Sequence, residues 1–269
     1  AVLTEDFGNP SAQYELGRAA KIRLDRDRET VAGALGCRPE QLFFTSCGTE
    51  GDNWAIRAAL HQNRRVGRHI VTTAVEHSAV LQCVKALEQE GYAVSYLNPD
   101  STGHITAEQV SAALREDTAL VSVMLVNNET GARLPVEEIA ALLADRPALL
   151  HTDAVQGFLK VPFTAGSLGA DYITLSAHKI GGPKGIGALY IGGRAKNTLP
   201  LLYGGGQEAG LRPGTEATAQ IAGFAKAAAL RRQCLEETWR HLADCRAYAV
   251  ERLGEIPDLC FVGRGDAPH

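Results

Sequence analysis

The sequence predicts a three-layer α/β/α fold on a mainly parallel sheet, leading into a partial, smaller C-terminal α+β domain. Two observations predict it. Short apolar strand patterns alternate with helical patterns through the first two-thirds of the chain, and clusters of polar and small residues fall just after the strands. Apolar strands joined by helices build right-handed crossovers, which align the strands in parallel and cover both faces of the sheet with helices.

Each element carries its own signal. Strand patterns occur at Gln41–Ser46, His69–Ala74, Tyr92–Asn98, Ala119–Val126, Ala148–Thr152 and Asp171–Ser176, as apolar and β-branched runs between turn formers. Helical patterns lie between them at Gly51–Ala59, Ala79–Gln89, Ala107–Glu116 and Val136–Ala144. After the sixth strand, the glycine run from Gly181 to Gly187 turns the chain tightly and returns it as a further strand, Ala188–Ile191. A long helix over about Glu216–Leu253, broken near its middle, leads into a second unit that opens with a strand at Leu259–Val262. The expected division is a cofactor-binding large domain over 1–228 and the start of a small domain over 229–269. A natural terminus at His269 is not expected, because it would leave raw core and an unpaired sheet edge.

Composition narrows the function. Of 269 residues, 45% are hydrophobic and 22% charged, and the formal net charge is -4. That balance argues against a general nucleic-acid or anionic-membrane surface, and no apolar run reaches the roughly 18–20 residues that span a bilayer. The six cysteines form no C-x-x-C pair and the eight histidines no H-E-x-x-H spacing. A cytoplasmic, reducing setting without a metal site is the expectation.

The chemistry-bearing segment is Ser176-Ala177-His178-Lys179. A lysine at a strand end among small residues can form a Schiff base with an aldehyde cofactor, of which pyridoxal 5'-phosphate (PLP) is the usual one. Taken alone, this tetrapeptide reads equally well as a surface lysine in a glycine-rich turn. The other strand ends supply what such a cofactor needs. Asp153 can face a protonated pyridine nitrogen, although it could also be a helix N-cap. Ser46-Cys47-Gly48-Thr49, between a strand and a helix, offers backbone N–H groups and the Thr49 hydroxyl to a phosphate, but ordinary caps look the same. His77 can stack on the ring and shuttle protons, or simply cap a helix. Asn128 and Gln156 can donate to the ring's phenolic oxygen, or serve in turns. The convergence of so many polar groups at one sheet edge is hard to explain by packing. Nucleotide motifs are absent, since neither G-x-G-x-x-G nor G-x-x-x-x-G-K-[ST] occurs.

Together the segments resemble the cysteine desulfurase branch of the class V, fold-type I PLP enzymes. The resemblance rests on Phe7–Ser11, Phe44–Glu50, Glu76–Val80, Val126–Gly131, His151–Gln156, Ser176–Gly187 and Gly204–Glu216, in order along nearly the whole chain. It implies that Lys179 carries the cofactor and moves protons at the substrate Cα, while His77 stacks on the ring and Asp153 pairs with its nitrogen. Asn128 and Gln156 hold the ring oxygen, with Asn128 also near the substrate carboxylate. Gly48, Thr49, Ser176 and His178 bind the phosphate, and Thr215 reaches the phosphate of a partner subunit, so a homodimer is implied. The implied reaction is L-cysteine to L-alanine, with sulfur passing through an enzyme persulfide to an acceptor such as an iron–sulfur scaffold protein or a tRNA-thiolation relay. The family's persulfide-forming cysteine and a carboxylate-gripping arginine belong beyond the point where this sequence stops. Cys47 stands where the family usually has glycine, at the phosphate end of the cofactor and away from the substrate sulfur. Tyr14 and Ala209 stand where histidine and arginine are usual. A selenocysteine lyase, another class V lyase or aminotransferase, and a non-catalytic PLP-binding relative are the alternatives.

Overall fold

The computed structural model describes residues 2–259 and 261. The elements run in the order α1 (Glu15–Leu35), β1 (Leu42–Thr45), α2 (Gly48–Gln62), β2 (His69–Thr73), α3 (Ser78–Gln89), β3 (Ala93–Leu97), α4 (Ala107–Ala113) and β4 (Thr118–Ser122). They continue as α5 (Val136–Leu142), β5 (Leu149–Asp153), α6 (Ala165–Leu168), β6 (Tyr172–Ser176), β7 (Gly187–Ile191), α7 (Thr218–Gln233) and α8 (Leu235–Leu253). One sheet carries the strands in the order β1-β7-β6-β5-β4-β2-β3. Every neighbouring pair is parallel except those made by β7, which runs against both β1 and β6. The expected mainly parallel three-layer architecture is what forms.

Every strand except the edge strand β3 buries both of its faces, and adjacent residues enter different cores. Phe43, Ile70, Leu120, Leu149 and Tyr172 pack with Trp54, Val80 and Val84 of α2 and α3. Their neighbours Phe44, Val71, Val121, Leu150 and Ile173 pack with Leu24, Val31 and Phe224 of α1 and α7. This is the two-residue period of a strand covered on both sides. Phe224 is fully buried and meets Phe44 and Phe158 edge-on, with ring centroids 6.5 and 6.3 Å away. Phe224→Ala is expected to lower unfolding free energy by about 3–5 kcal/mol, measurable by urea denaturation. A loss below about 1 kcal/mol would mean that α7 is not anchored there.

Some boundaries differ from expectation. Helix α1 has no counterpart among the sequence-predicted elements; its buried positions are Gly17, Ala20, Leu24, Asp27, Val31, Ala32 and Leu35. Regular β4 pairing stops at Ser122, yet residues 123–126 stay buried, with Val123 N and Leu125 N donating to the carbonyls of His151 and Asp153. The long C-terminal helix is two helices, broken at Cys234, whose φ of -110° and ψ of 18° leave the helical region. The strand expected over 259–262 falls partly outside the described residues. No described helix is long and apolar enough to cross a membrane.

The strand order also locates a crevice. From β2 the chain moves outward to β3, whereas from β4 it moves the opposite way to β5 and β6. The loops leaving β2 and β4 therefore diverge, and ligands in open α/β sheets bind at such a switch point, beyond the strands' carboxyl ends.

Candidate active site

A cavity of about 330 Å³ occupies that crevice. It is lined by Gly48, Thr49, His77, Asn128, Asp153, Gln156, Ser176, His178 and Lys179, nine residues picked out by the sequence. Thr215 is exposed and lies outside it. A larger cavity of about 580 Å³, beside Arg28 and Glu208, gathers none of the nine.

The floor of the cavity is acidic and buried. Asp153 ends β5, and its Oδ1 accepts the Val155 N–H at 2.9 Å, an Asx turn rather than a helix N-cap. Burial, reinforced by the neighbouring Asp52 charge, pushes the Asp153 carboxyl up to about 7. Burial likewise pushes Asp52 up to about 7 and Glu76 up to about 8, and holds His151 down at about 4. Side-chain ligand atoms of Asp52, His77 and Asp153 lie within 4.8 Å of one another. His151 Nε2 stands 3.4 Å from Asp52 Oδ1, but its ring nitrogens bond to Ser122 Oγ at 2.9 Å and Thr174 Oγ1 at 3.0 Å. Asp52 Oδ1 is left without a hydrogen-bond partner. Among the described residues, no lysine or arginine pairs with Asp52, Glu76 or Asp153. A buried acid without a cation opposite it suits a protonated pyridine nitrogen.

These acids make the cofactor-free fold pH-sensitive in a defined direction. Between the ordinary carboxylate range and pH 7–8 the folded state binds more protons than the unfolded chain, so stability is full at low pH and falls as pH rises. His151 acts oppositely, but only below about pH 6.5, its ordinary value. The melting temperature of cofactor-free protein is therefore expected to fall between pH 6.5 and 8.5, and PLP is expected to reduce the slope. Calorimetry that finds a flat or rising profile would contradict the assignment of buried, protonated acids.

The opposite end suits an anion. Helix α2 opens at Gly48, and its N-cap residue Cys47 provides no side-chain cap, so first-turn N–H groups remain available to a ligand. Close contact with β6 needs Gly51, where a Cβ would lie 2.8 Å from Thr174 Cγ2. Glu50 accepts from Ser46 Oγ at 2.5 Å and takes Arg212 in a bidentate pair at 2.8 and 3.1 Å. That pair ties the loop bearing Thr215 to the start of α2. Ser176 Oγ and His178 Nδ1 are 2.9 Å apart. Burial, then the charges of Lys179, Lys184 and Lys160, lowers the His178 pKa. A helix N-terminus, two hydroxyls and a positive field form a fitting phosphate cradle.

Between these ends lie the proton-handling groups. Lys179 sits in a turn of 3₁₀ helix, Ala177–Ile180, closed by Gly181 at φ 84°, a conformation that glycine adopts without strain. His77 caps α3 by accepting the Ala79 N–H on Nδ1 at 3.1 Å, which leaves Nε2 to carry the proton of the neutral ring. The capping and cavity roles of His77 thus coexist. Asn128 is displayed by a loop that its neighbour organises: Asn127 Nδ2 donates to Val75 O at 2.8 Å, and its Oδ1 accepts the N–H groups of Glu129 and Thr130 at 2.9 Å.

Asp52, Met124 and Val155 also line the cavity without having been singled out in the sequence, and Glu129, part of the polar run after Val126, lines it without an assigned role. For Asp52 a signal existed: it follows Thr49 by three residues on the same helix, which places both on one face. Of the cysteines, Cys47 lines the cavity at the cradle end. Burial pushes the Cys37 and Cys83 thiols up to about 11, which makes them poor nucleophiles. Cys234 lies between α7 and α8 and Cys245 on α8, both away from the cavity. Cys260 lies outside the described residues.

Residues 2–268 match the model of the aminotransferase class-V family. The chain is 42% identical over 255 residues to "Cysteine desulfurase IscS" of Methanosarcina thermophila, covering 95% of this chain and 63% of that protein. Less than two thirds of that relative's length is therefore spanned. Among solved structures, DndA from Streptomyces lividans superposes with a TM-score of 0.90 at 40% identity, covering 99% of this chain and 76% of that one. A structure described as SspA in complex with cysteine superposes with a TM-score of 0.81 at 38% identity, covering 85% and 66%.

Proposed function

The chain belongs to the class V aminotransferase family, and from that premise we propose that it is the catalytic core of a PLP-dependent cysteine desulfurase. The observation that carries this reading is one cavity joining Lys179, the uncompensated acid Asp153 and the uncapped start of α2. Their chemistries match the aldehyde, ring nitrogen and phosphate of a single cofactor. Likeness to a relative named for cysteine desulfuration and to a structure holding cysteine supports the choice of substrate.

Bound PLP supplies an aldehyde that captures amino groups and a ring that withdraws electrons from the substrate Cα. The chain's residues do the rest. Lys179 Nζ would hold the aldehyde carbon and would move the proton at the substrate Cα. Asp153 would hold the proton on the ring nitrogen, and that cation would offset its cost of burial. His77 would stack on the ring and has Nε2 free of the cap to exchange a proton there. Asn128 and Gln156 donate to the ring oxygen, and Asn128 also orients the substrate carboxylate. Gly48, Thr49, Ser176 and His178 receive the phosphate. Transfer of the cysteine sulfur to a thiol yields one persulfide and one L-alanine, with the thiol proton retained in the products.

The proposal extends to a homodimer in which Thr215 serves the partner's phosphate, to a cytoplasmic setting, and to a sulfur acceptor such as an iron–sulfur scaffold protein. We also place the end of the large domain near 228, since Ala228 is the last buried residue of α7 and α8 has none. The test is the PLP-loaded protein with L-cysteine and dithiothreitol as thiol acceptor. Equimolar alanine and sulfide are expected. PLP binding without alanine, or faster release from selenocysteine than from cysteine, would overturn the desulfurase assignment.

A further inference from the structure

We infer that Lys160 is a positioning residue for the cofactor site: it fixes the orientation of the Gln156 amide so that its NH₂ group faces the cavity. This rests on the PLP reading above and goes beyond it to a residue outside the cavity lining.

The contact is direct. Lys160 Nζ donates to Gln156 Oε1 at 2.8 Å. An amide's oxygen and nitrogen are exchanged by a half-turn, and only the surroundings decide which faces where. Lysine has three donors and no acceptor, so whichever amide atom it meets must be the oxygen. With Oε1 held by Lys160, the two N–H donors of Gln156 are what remains for the cavity that Gln156 lines. A donor is what an ionised ring oxygen requires. The reversed amide would present a second acceptor to that oxygen and repel it.

The backbone is arranged to make this contact. Residues 154–161 form a compact turn in which Phe158 N donates to Ala154 O, and both Lys160 N and Val161 N donate to Gly157 O. Gln156 and Lys160, four apart, therefore come to the same side. The turn passes through Leu159 at φ 53°, a left-handed conformation that residues with a Cβ resist. Arg231 of α7 holds that residue's carbonyl from Nε at 3.3 Å. Lys160 is half-buried, and burial, then the charges of Lys179 and Arg231, lowers its pKa. Placing a cation among cations is unfavourable unless its hydrogen bond matters.

The test uses the PLP-loaded protein and the pH at which the bound cofactor's visible absorbance changes. Lys160→Met removes the donor and keeps most of the stem. It is expected to raise that midpoint by about one unit, the tenfold that one hydrogen bond to a charged oxygen is worth. It should also weaken PLP retention by up to about tenfold. Gln156→Ala should do the same, Lys160→Met should add nothing in the Gln156→Ala background, and Lys160→Arg should restore the parent profile.

Three outcomes would overturn the proposal. Lys160→Met could leave the midpoint unchanged. It could shift the midpoint equally with Gln156 present or absent, which would mark a through-space charge effect. Gln156→Ala could leave the midpoint unmoved while Lys179 still traps the cofactor. If the parent protein takes up no PLP at all, the reading beneath the proposal fails first, and that result is distinguishable from the other three.

Discussion

Lys179→Ala is expected to reduce alanine formation from L-cysteine by at least about 10³-fold while leaving the fold intact. Lys179 is exposed toward the cavity and sits in a short turn whose packing comes from Ala177 and Ile180. Its removal therefore uncovers no core. On the proposed reading two functions would be lost together: the covalent anchor for the aldehyde and the base at the substrate Cα. The site would still attract PLP through the α2 N-terminus and Asp153, so the variant should bind the cofactor reversibly and release it on dialysis. Free methylamine should restore part of the proton transfer, because the cavity has room where the side chain was. A variant that kept its turnover would remove Lys179 from the chemistry.

Asp153→Asn is the second large effect, expected to lower turnover by roughly 10²-fold and PLP affinity by about tenfold. The carboxamide keeps the shape, and its oxygen can still accept from Val155 N, as Asp153 Oδ1 does at 2.9 Å. It cannot supply a negative charge to a ring nitrogen. The same variant tests the buried cluster. The Asp153 charge contributes to the raised Glu76 value, so removing it should relieve Glu76 as well as take out one raised acid. The fall of melting temperature above pH 6.5 should then become shallower in the cofactor-free variant. Unchanged turnover in Asp153→Asn would mean that the ring nitrogen is not protonated in the working enzyme.

The sheet and most of the cavity were legible in the sequence for one reason: in a parallel sheet, strand ends and loop chemistry coincide. An apolar run followed by Glu76-His77, by Asn127-Asn128 or by Asp153 announces both a strand and its functional end. Helix α1 was not legible. Its buried stripe intersperses Leu24, Val31 and Leu35 with the small residues Gly17, Ala20 and Ala32 and includes Asp27, which pairs with Arg23 one turn earlier at 2.9 Å. A stripe of that kind does not stand out against the charged residues around it. Asp52 was missed because a carboxylate inside an amphipathic helix normally faces water. Only packing of α2 against β6 turns it inward. Lys160 was missed for a related reason, since its role depends on a left-handed leucine that no local preference predicts.

The central claim is that one cavity seats PLP on Lys179. It is tested most directly by borohydride reduction of the PLP-loaded protein followed by peptide mass mapping. A single reduced pyridoxyl adduct on the peptide containing Lys179, with Lys160 and Lys184 unmodified, is the predicted result. An adduct on another lysine, or none, would contradict the account.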